Sequence, residues 1–130
     1  MGYLYIGIDK NNNIKIGMTE QTLEKRYSGT DYCILLSAET KQIISRDTLF
    51  KCESILRLNF ATHYTQVAID RFLITNETYL ELFAETINAI NEKIDLFYSP
   101  RLCLSLKTYA MLDQKYLDLQ EKFQKTLDKS

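Results

Sequence analysis

Two short runs near the start of the chain alternate between apolar and polar residues. In residues 3–8 leucine or isoleucine occupies every second position, and Ile14, Ile16 and Met18 repeat the pattern over residues 14–18. The polar stretch 9–13, rich in asparagine, lies between them. Alternation with a period of two on both sides of a turn predicts an antiparallel β-hairpin, with its apolar face in the core.

Beyond residue 45 the spacing of apolar residues changes from two to three or four. One such stripe contains Leu49, Cys52, Leu56 and Phe60. It predicts a helix over about 48–62, with Asp47 as the residue that caps its N-terminus. A second stripe predicts a helix that Asn76 caps at its N-terminus and that runs to about Tyr98, where Ser99-Pro100 would end it.

The remaining segments are shorter or less regular. A short helix is predicted over about 20–28, and the apolar run 32–37 is typical of a third, buried strand. The segment 67–74 is either a strand or an irregular crossing segment. From Leu102 to Asp128 the apolar spacing alternates between three and four, which predicts a long helix with about two heptads.

These elements together predict an α+β fold. Residues 1–98 would form one domain, a small, mainly antiparallel three-stranded sheet flanked by helices, and residues 99–130 a C-terminal helical extension. Two heptads are marginal for a free coiled coil. The extension is therefore expected either to pack on its own chain or to form a homodimer in which both C-terminal helices take part.

Composition narrows the classes of function. The chain has 130 residues, 45% of them hydrophobic, and its 16 basic and 17 acidic residues give a net charge of −1. A protein that coats nucleic acid would be far more basic, so any nucleic-acid contact is expected at a local site. The three cysteines have no CxxC spacing, which argues against a zinc site or a disulfide framework. Without a leader or an 18-residue apolar run, we expect a cytoplasmic protein with no membrane partner.

The polar face of the predicted hairpin carries candidate chemistry. Tyr5 and Lys15 would lie on neighbouring strands and point the same way, and a phenol can orient or deprotonate a nucleophile. Gly7 and Gly17 are expected to leave open surface where a ligand can approach the backbone. The alternative is a half-exposed sheet face on which tyrosine is simply a good strand former.

Three further residues could act on a phosphate. Arg26, beside Lys25 in the predicted short helix, has a planar guanidinium that matches two phosphate oxygens. Glu53 could hold one Mg²⁺, with water and phosphate oxygens as the other ligands. The alternatives are a solvated helix surface for the basic pair and an ordinary i,i+4 ion pair between Glu53 and Arg57.

In this order along the chain, the residues resemble the GIY-YIG endonuclease superfamily. The match lies in Tyr-x-Tyr on the first strand, Ile-Gly on the second, and then an arginine and a helical glutamate. Residues 15–19, Lys-Ile-Gly-Met-Thr, agree with the Lys-Ile-Gly-x-Thr motif of the branch common in phages and large DNA viruses. Residues 53–60 agree with that branch's Glu-x-x-Leu-His-x-x-Phe, except that Arg57 replaces the histidine.

The resemblance implies a role for each matched position. Tyr5 would position or activate the attacking water, and Lys15 stands where most members have a second tyrosine. Arg26 would stabilise charge on the phosphate, and Glu53 would bind a single Mg²⁺ or Mn²⁺ ion. The implied activity is metal-dependent hydrolysis of phosphodiester bonds in DNA, with RNA as the alternative substrate.

Nucleic-acid contacts are expected from Tyr3, Lys25 and Arg57. A second hypothesis comes from a different class, a catalytically weak or inactive protein on a nuclease-like scaffold. It would bind a host factor, nucleic acid or a nucleotide. The acidic balance of the chain, the replaced histidine and the lack of a separate DNA-targeting domain favour this second hypothesis.

Overall fold

The protein has an α+β fold, as predicted. The computed structural model describes residues 2–23, 31–76 and 78–103, together with Glu121 and Lys125. The strands in the described residues are β1 (Tyr3–Asp9), β2 (Asn13–Thr19), β3 (Tyr32–Glu39), β4 (Gln66–Ala68), β5 (Arg71–Leu73) and β6 (Arg101–Leu102). The long helices are α1 (Arg46–His63) and α2 (Tyr79–Lys93).

The strands form one antiparallel sheet in the order β4-β5-β2-β1-β3-β6. The prediction of three strands is therefore wrong in number, because this sheet has six. The central three are the predicted ones. The ambiguous segment 67–74 contributes to a tight hairpin, β4 and β5, and β6 follows Pro100. Strands of two or three residues are too short to show an alternating pattern in the sequence.

The predicted hairpin of β1 and β2 is confirmed, and Asp9 organises its turn. The Asp9 Oδ1 atom accepts hydrogen bonds from the backbone N–H groups of Asn11, at 2.9 Å, and Asn13, at 2.8 Å. Asn12 has a φ of 62°, a left-handed conformation that asparagine tolerates better than most residues. The asparagine-rich stretch thus fixes the register in which Tyr5 faces Gly17 and Gly7 faces Lys15.

One face of the sheet packs against the two helices. Its apolar residues from β1 and β2 are buried, apart from the partly buried Met18, as are the residues of the predicted α1 stripe; the set includes Leu4, Ile6, Ile14, Ile16, Leu49, Cys52, Leu56 and Phe60. The opposite face carries a smaller cluster of Tyr5, Tyr32, Ile34 and Cys103. The period-two and period-3.6 patterns therefore identified the main core correctly.

The N-terminal cap of α1 is Ser45, and the prediction of Asp47 was wrong. Ser45 has extended backbone angles, and its Oγ accepts a hydrogen bond from the backbone N–H of Thr48 at 3.1 Å. Asp47 lies inside the first turn, where its charge faces the positive end of the helix dipole. Both residue types suit a helix start, so the sequence alone did not separate the two positions.

We expect Ser45→Ala to lower the free energy of unfolding by about 1 kcal/mol, because it leaves the Thr48 N–H without its acceptor. Asp47→Ala is the matched control, and an exposed charge in a first turn contributes only about 0.3 kcal/mol. Urea unfolding of both variants at neutral pH measures the difference. A loss for Asp47→Ala equal to or greater than that for Ser45→Ala would contradict the assignment.

Helix α2 ends at Lys93 rather than near Tyr98, and Asn91 explains the early end. The Asn91 Oδ1 atom accepts from the backbone N–H groups of Leu96 and Phe97, and its Nδ2 donates to the Phe97 carbonyl. These bonds hold the chain in a turn. Phe97 then bridges to Thr40 beside β3, so it is buried without being helical.

The two other predicted helices are only partly covered by the described residues. Leu23 is helical, and residues 24–30 lie outside the described part. Leu102, where the last helix was predicted to begin, belongs to β6 instead. The rest of that prediction and the proposed dimer surface lie outside the described residues, apart from Glu121 and Lys125.

Two expectations drawn from composition concern the cysteines and the membrane. Cys33, Cys52 and Cys103 are buried free thiols, and burial raises the pKa of Cys52. Among the described helices, none combines the length and the apolar character that crossing a bilayer requires.

Candidate active-site pocket

A pocket of about 460 Å³ opens between the second half of β2 and the start of α1. Strand β2 contributes Lys15, Gly17 and Met18, and the turn between β4 and β5 contributes Asp70. Strand β5 pairs only with residues 13–15 of β2, so it leaves the second half of β2 beside the pocket.

Helix α1 supplies the other wall through Arg46, Asp47, Phe50 and Glu53. Positions three and four apart lie on one face of a helix, so Arg46, Phe50 and Glu53 point the same way. With the residues from the sheet, the pocket contains two cations and three carboxylates around one aromatic ring. Such a mixed lining suits a charged ligand with a flat group better than a purely apolar one.

Lys15 is held at the pocket by an ion pair. Its Nζ contacts the carboxylate of Asp70, and it lies 5.8 Å from the centroid of the Tyr32 ring. Lys15 is largely buried while Asp70 is about one-third exposed. The hairpin of β4 and β5 therefore fixes the position of the ammonium group through Asp70.

Glu53 combines the two arrangements that the sequence left open. It lines the pocket, and its Oε1 also lies 3.4 Å from the Nε of Arg57, one turn further along α1. The Arg57 guanidinium donates to Ser54 and lies 5.5 Å from the centroid of the Phe50 ring. The carboxylate thus carries a counter-ion from its own helix while it faces the pocket.

Tyr5 lies against the pocket wall rather than on an open surface. It is fully buried, its hydroxyl oxygen lies 2.8 Å from that of Tyr32, and the two rings stack at 6.0 Å. A Cβ atom at Gly17 would lie 2.3 Å from the Tyr5 Cζ. The Tyr5 ring fills the side of Gly17 on which a Cβ would lie, while the Gly17 residue itself lines the pocket.

Gly7 has a similar explanation. A Cβ at this position would lie 2.4 Å from the backbone carbonyl oxygen of Cys33 on β3. The register between β1 and β3 shifts between Ile6 and Gly7, which brings the two backbones close together. The glycine permits this strand contact and opens no ligand surface.

A second ion-pair cluster supports the hairpin beside the pocket. Arg71 donates through Nη1 to Asp9, at 2.9 Å, and to Asp31, at 2.8 Å, and its guanidinium carbon lies 6.0 Å from the Tyr32 ring centroid. The hydrogen bond from Arg71 holds the pKa of Asp31 below its usual value, and the same carboxylates raise the pKa of Arg71. The cluster ties β5 to the turn after β1.

The predicted site residues are thus brought together in part. Lys15 and Glu53 line one pocket, and Tyr5 packs against its Gly17. The Tyr3 hydroxyl donates to Glu39 on β3 at 2.9 Å, whereas the pocket opens on the other side of β1, beside β2. Arg57 contacts Glu53 but does not line the pocket. Arg26 and Lys25 lie outside the described residues.

The pocket contains three carboxylates, which are possible ligands for a divalent metal ion. No group of three or more His, Cys, Asp or Glu residues in the described ranges could hold a metal by itself. Mg²⁺ is commonly held by only one or two carboxylates, with waters and substrate phosphates as the remaining ligands. Glu53 faces the pocket and would supply one such carboxylate, whereas Asp70 is already paired with Lys15.

Sequence reasoning missed Phe50 and Arg46 as pocket residues. The pairing of Asp70 with Lys15 joins residues 55 apart in sequence, so the spacing of residues gives that contact no local signal. Phe50 and Arg46 did have a local signal in the sequence, since they precede Glu53 by three and seven residues and lie off the buried stripe of α1. Helical spacing from a suspected site residue would have identified both.

The comparisons with known proteins give no family assignment. The chain matches no protein-family model, no curated protein and no solved structure.

Proposed function

We propose that the protein is a metal-dependent endonuclease of the GIY-YIG type that hydrolyses phosphodiester bonds in DNA. The observation that carries this proposal is that Lys15 and Glu53, distant in sequence, line one pocket. They also occupy the matching positions of two separate motifs in the resemblance.

Each residue would contribute a defined interaction. Lys15, held by Asp70, would offer its positive charge to the scissile phosphate, and exposed Arg46 would add a second cation at the rim. Glu53 would hold a Mg²⁺ or Mn²⁺ ion, which supplies Lewis-acid polarisation of a phosphate oxygen when bound. Arg26 would bind a further phosphate oxygen, a role that rests on the resemblance alone.

Tyr5 would orient the attacking water through its hydroxyl. That hydroxyl is buried and hydrogen-bonded to the hydroxyl of Tyr32. A phenol hydroxyl donates one hydrogen bond and accepts others, so Tyr5 could keep its bond to Tyr32 and still bond a water, once a small displacement makes the buried hydroxyl accessible from the pocket.

The test is incubation of the purified protein with labelled single- and double-stranded DNA, and with RNA, in Mg²⁺ or Mn²⁺. We expect cleavage that EDTA and Glu53→Gln each abolish. Lys15→Met should lower the rate by about 10²–10³-fold, as expected when one preorganised charge is removed. Glu85→Gln removes an exposed carboxylate from α2, away from the pocket, and is the control that should keep full activity.

Cleavage that survives Glu53→Gln would assign the activity to another site or to a contaminant. Absence of cleavage on every substrate, from a protein that unfolds cooperatively, would reject the nuclease proposal.

A second candidate function is binding without catalysis. The observation in its favour is that Lys15, Glu53 and Tyr5 each have a partner within the chain, namely Asp70, Arg57 and Tyr32. Such pairing stabilises a scaffold without any reaction. Under this alternative, oligonucleotides or nucleotides would bind with the same affinity in EDTA and in Mg²⁺, and Lys15→Met would weaken binding while nothing is cleaved.

A further inference from the structure

Phe50 is an aromatic side chain at the wall of a charged pocket. It lies on α1 outside the buried stripe, and 50% of it is exposed to solvent. It lines the same pocket as Lys15 and Glu53. An exposed ring beside groups suited to a phosphate is not required for packing.

Its position distinguishes Phe50 from the other exposed apolar residues of α1. Leu58 is 67% exposed and Ile55 is 43% exposed, and neither lines this pocket. Apolar residues scattered singly on a surface are normal and need no explanation. A residue that is both exposed and part of a pocket does need an explanation. Among Phe50, Ile55 and Leu58, only Phe50 is both exposed and part of this pocket.

The ring is held close to the charged groups. Phe50 precedes Glu53 by three residues on a helix, so their Cβ atoms lie about 5–6 Å apart. The Arg57 guanidinium lies 5.5 Å from the ring centroid and restrains the ring from the side of α1. A flat group attached to a phosphate bound between Lys15 and Glu53 would therefore reach Phe50 without rearrangement of the helix.

We propose that this pocket binds single-stranded nucleic acid, with Phe50 stacking on the base next to the bound phosphate. The proposal rests on the proposed function only in placing a phosphodiester in the pocket. In a duplex both faces of a base are covered by its neighbours, so an aromatic side chain can stack only on an unpaired or extruded base. Stacking on exposed aromatic rings is a general way to bind single strands.

The charge of the chain agrees with this substrate class. Proteins that hold duplex DNA neutralise many phosphates with basic surface, whereas the net charge here is −1. A single strand in a local site needs fewer phosphate contacts when stacking supplies part of the affinity. Single-stranded DNA and RNA share this chemistry, so both are included in the test.

Binding is measured by fluorescence anisotropy with Ca²⁺ in place of Mg²⁺, so that a divalent ion can still occupy the Glu53 carboxylate, and each probe is checked on a gel for intact length. The probes are labelled oligo-dT and oligo-U of about 12 nucleotides, within the range of known single-strand sites, and a duplex of equal length. Phe50→Ala should weaken single-strand binding by about 5- to 150-fold and duplex binding by less than about 2-fold. Leu58→Ala is the matched control on the same helix and should bind like the wild type.

A second variant tests stacking directly and does not depend on a loss of binding. The chain contains no tryptophan, so Phe50→Trp introduces a single fluorescent reporter at the site. Its emission should be quenched by the single strands and not by the duplex, with affinity for single strands retained. Leu58→Trp should show no quenching.

Several results would overturn the inference. The first is a single-strand affinity that is unchanged in Phe50→Ala, and the second is an equal loss of affinity for the duplex. The others are equal quenching of Phe50→Trp by the single strands and the duplex, and no binding of any nucleic acid. The two proposals fail separately. Stacking without cleavage would keep the inference and reject the nuclease, whereas cleavage of single strands that is unaffected by Phe50→Ala would reject the inference and keep the nuclease.

Discussion

Replacing Arg71 with methionine is expected to lower the free energy of unfolding by about 3–5 kcal/mol. The side chain of Asp9 is only 1% exposed, and its Oδ2 accepts a hydrogen bond from Arg71. Removing the guanidinium leaves a buried carboxylate without its counter-ion. The two backbone N–H groups bound to Oδ1 offset part of this loss, which favours the lower end of the range.

Asp31→Asn is the control for this prediction, because Asp31 pairs with the same guanidinium but is 51% exposed. Exposed ion pairs contribute about 0–1 kcal/mol, so this variant should remain close to the wild type. Urea unfolding at neutral pH compares the two. Equal losses of unfolding free energy in the two variants would show that the burial of Asp9 does not increase the cost of removing its counter-ion.

The same cluster gives an acid-pH signature. The hydrogen bond from Arg71 lowers the pKa of Asp31 below its usual value, so the folded state favours the ionised carboxylate. The stability that this ionised carboxylate adds is present above the pKa that Asp31 has in the unfolded chain. It is lost as the pH falls through the lower pKa that Asp31 has in the folded protein. Both Arg71→Met and Asp31→Asn should therefore lack this part of the acid destabilisation that the wild type shows below about pH 4.

Tyr79→Phe is expected to protect the protein at alkaline pH. Tyr79 is fully buried, its hydroxyl has no hydrogen-bond partner within the described residues, and burial raises its pKa from 10.0 to about 12. Above pH 10 the unfolded state loses this proton while the folded state keeps it, so stability falls as the pH rises toward 12. A rise of the Tyr79 pKa from 10.0 to about 12 corresponds to about 2–3 kcal/mol of unfolding free energy. The wild type should lose this stability at alkaline pH, and the phenylalanine variant should not.

The measurement is the free energy of unfolding of both proteins between pH 8 and pH 11.5, compared as a difference so that the other tyrosines cancel. Near pH 8 the variant should equal or exceed the wild type by up to about 1 kcal/mol, because an unpaired buried hydroxyl is removed. Tyr98→Phe, at a half-exposed tyrosine, is the control for removing a phenol hydroxyl from the surface. Parallel curves for wild type and Tyr79→Phe would contradict the raised pKa.

The fold was predictable where the sequence has long regular patterns. The hairpin of β1 and β2 and the stripe of α1 extend over enough residues for their periods to be clear. The outer strands contain two or three residues each and depend on partners far along the chain. The end of α2 was misjudged because apolar Phe97 continues the helical spacing while the side chain of Asn91 turns the backbone.

The candidate site was predictable in its motif residues and not in their surroundings. Lys15 and Glu53 were identified from their order along the chain, and they line one pocket. The partner of Lys15 is Asp70, which reaches it from a hairpin 55 residues away in sequence, a separation that no periodic pattern encodes. Side-chain contacts of this kind follow from tertiary packing alone.

The close packing of Tyr5 against Gly17 makes these two positions interdependent under mutation. Any side chain added at Gly17 requires a smaller residue at Tyr5, so a double-mutant cycle should reveal strong coupling. Tyr5 and Gly17, two of the residues that carry the resemblance, are therefore constrained by packing against each other, independently of any role in catalysis.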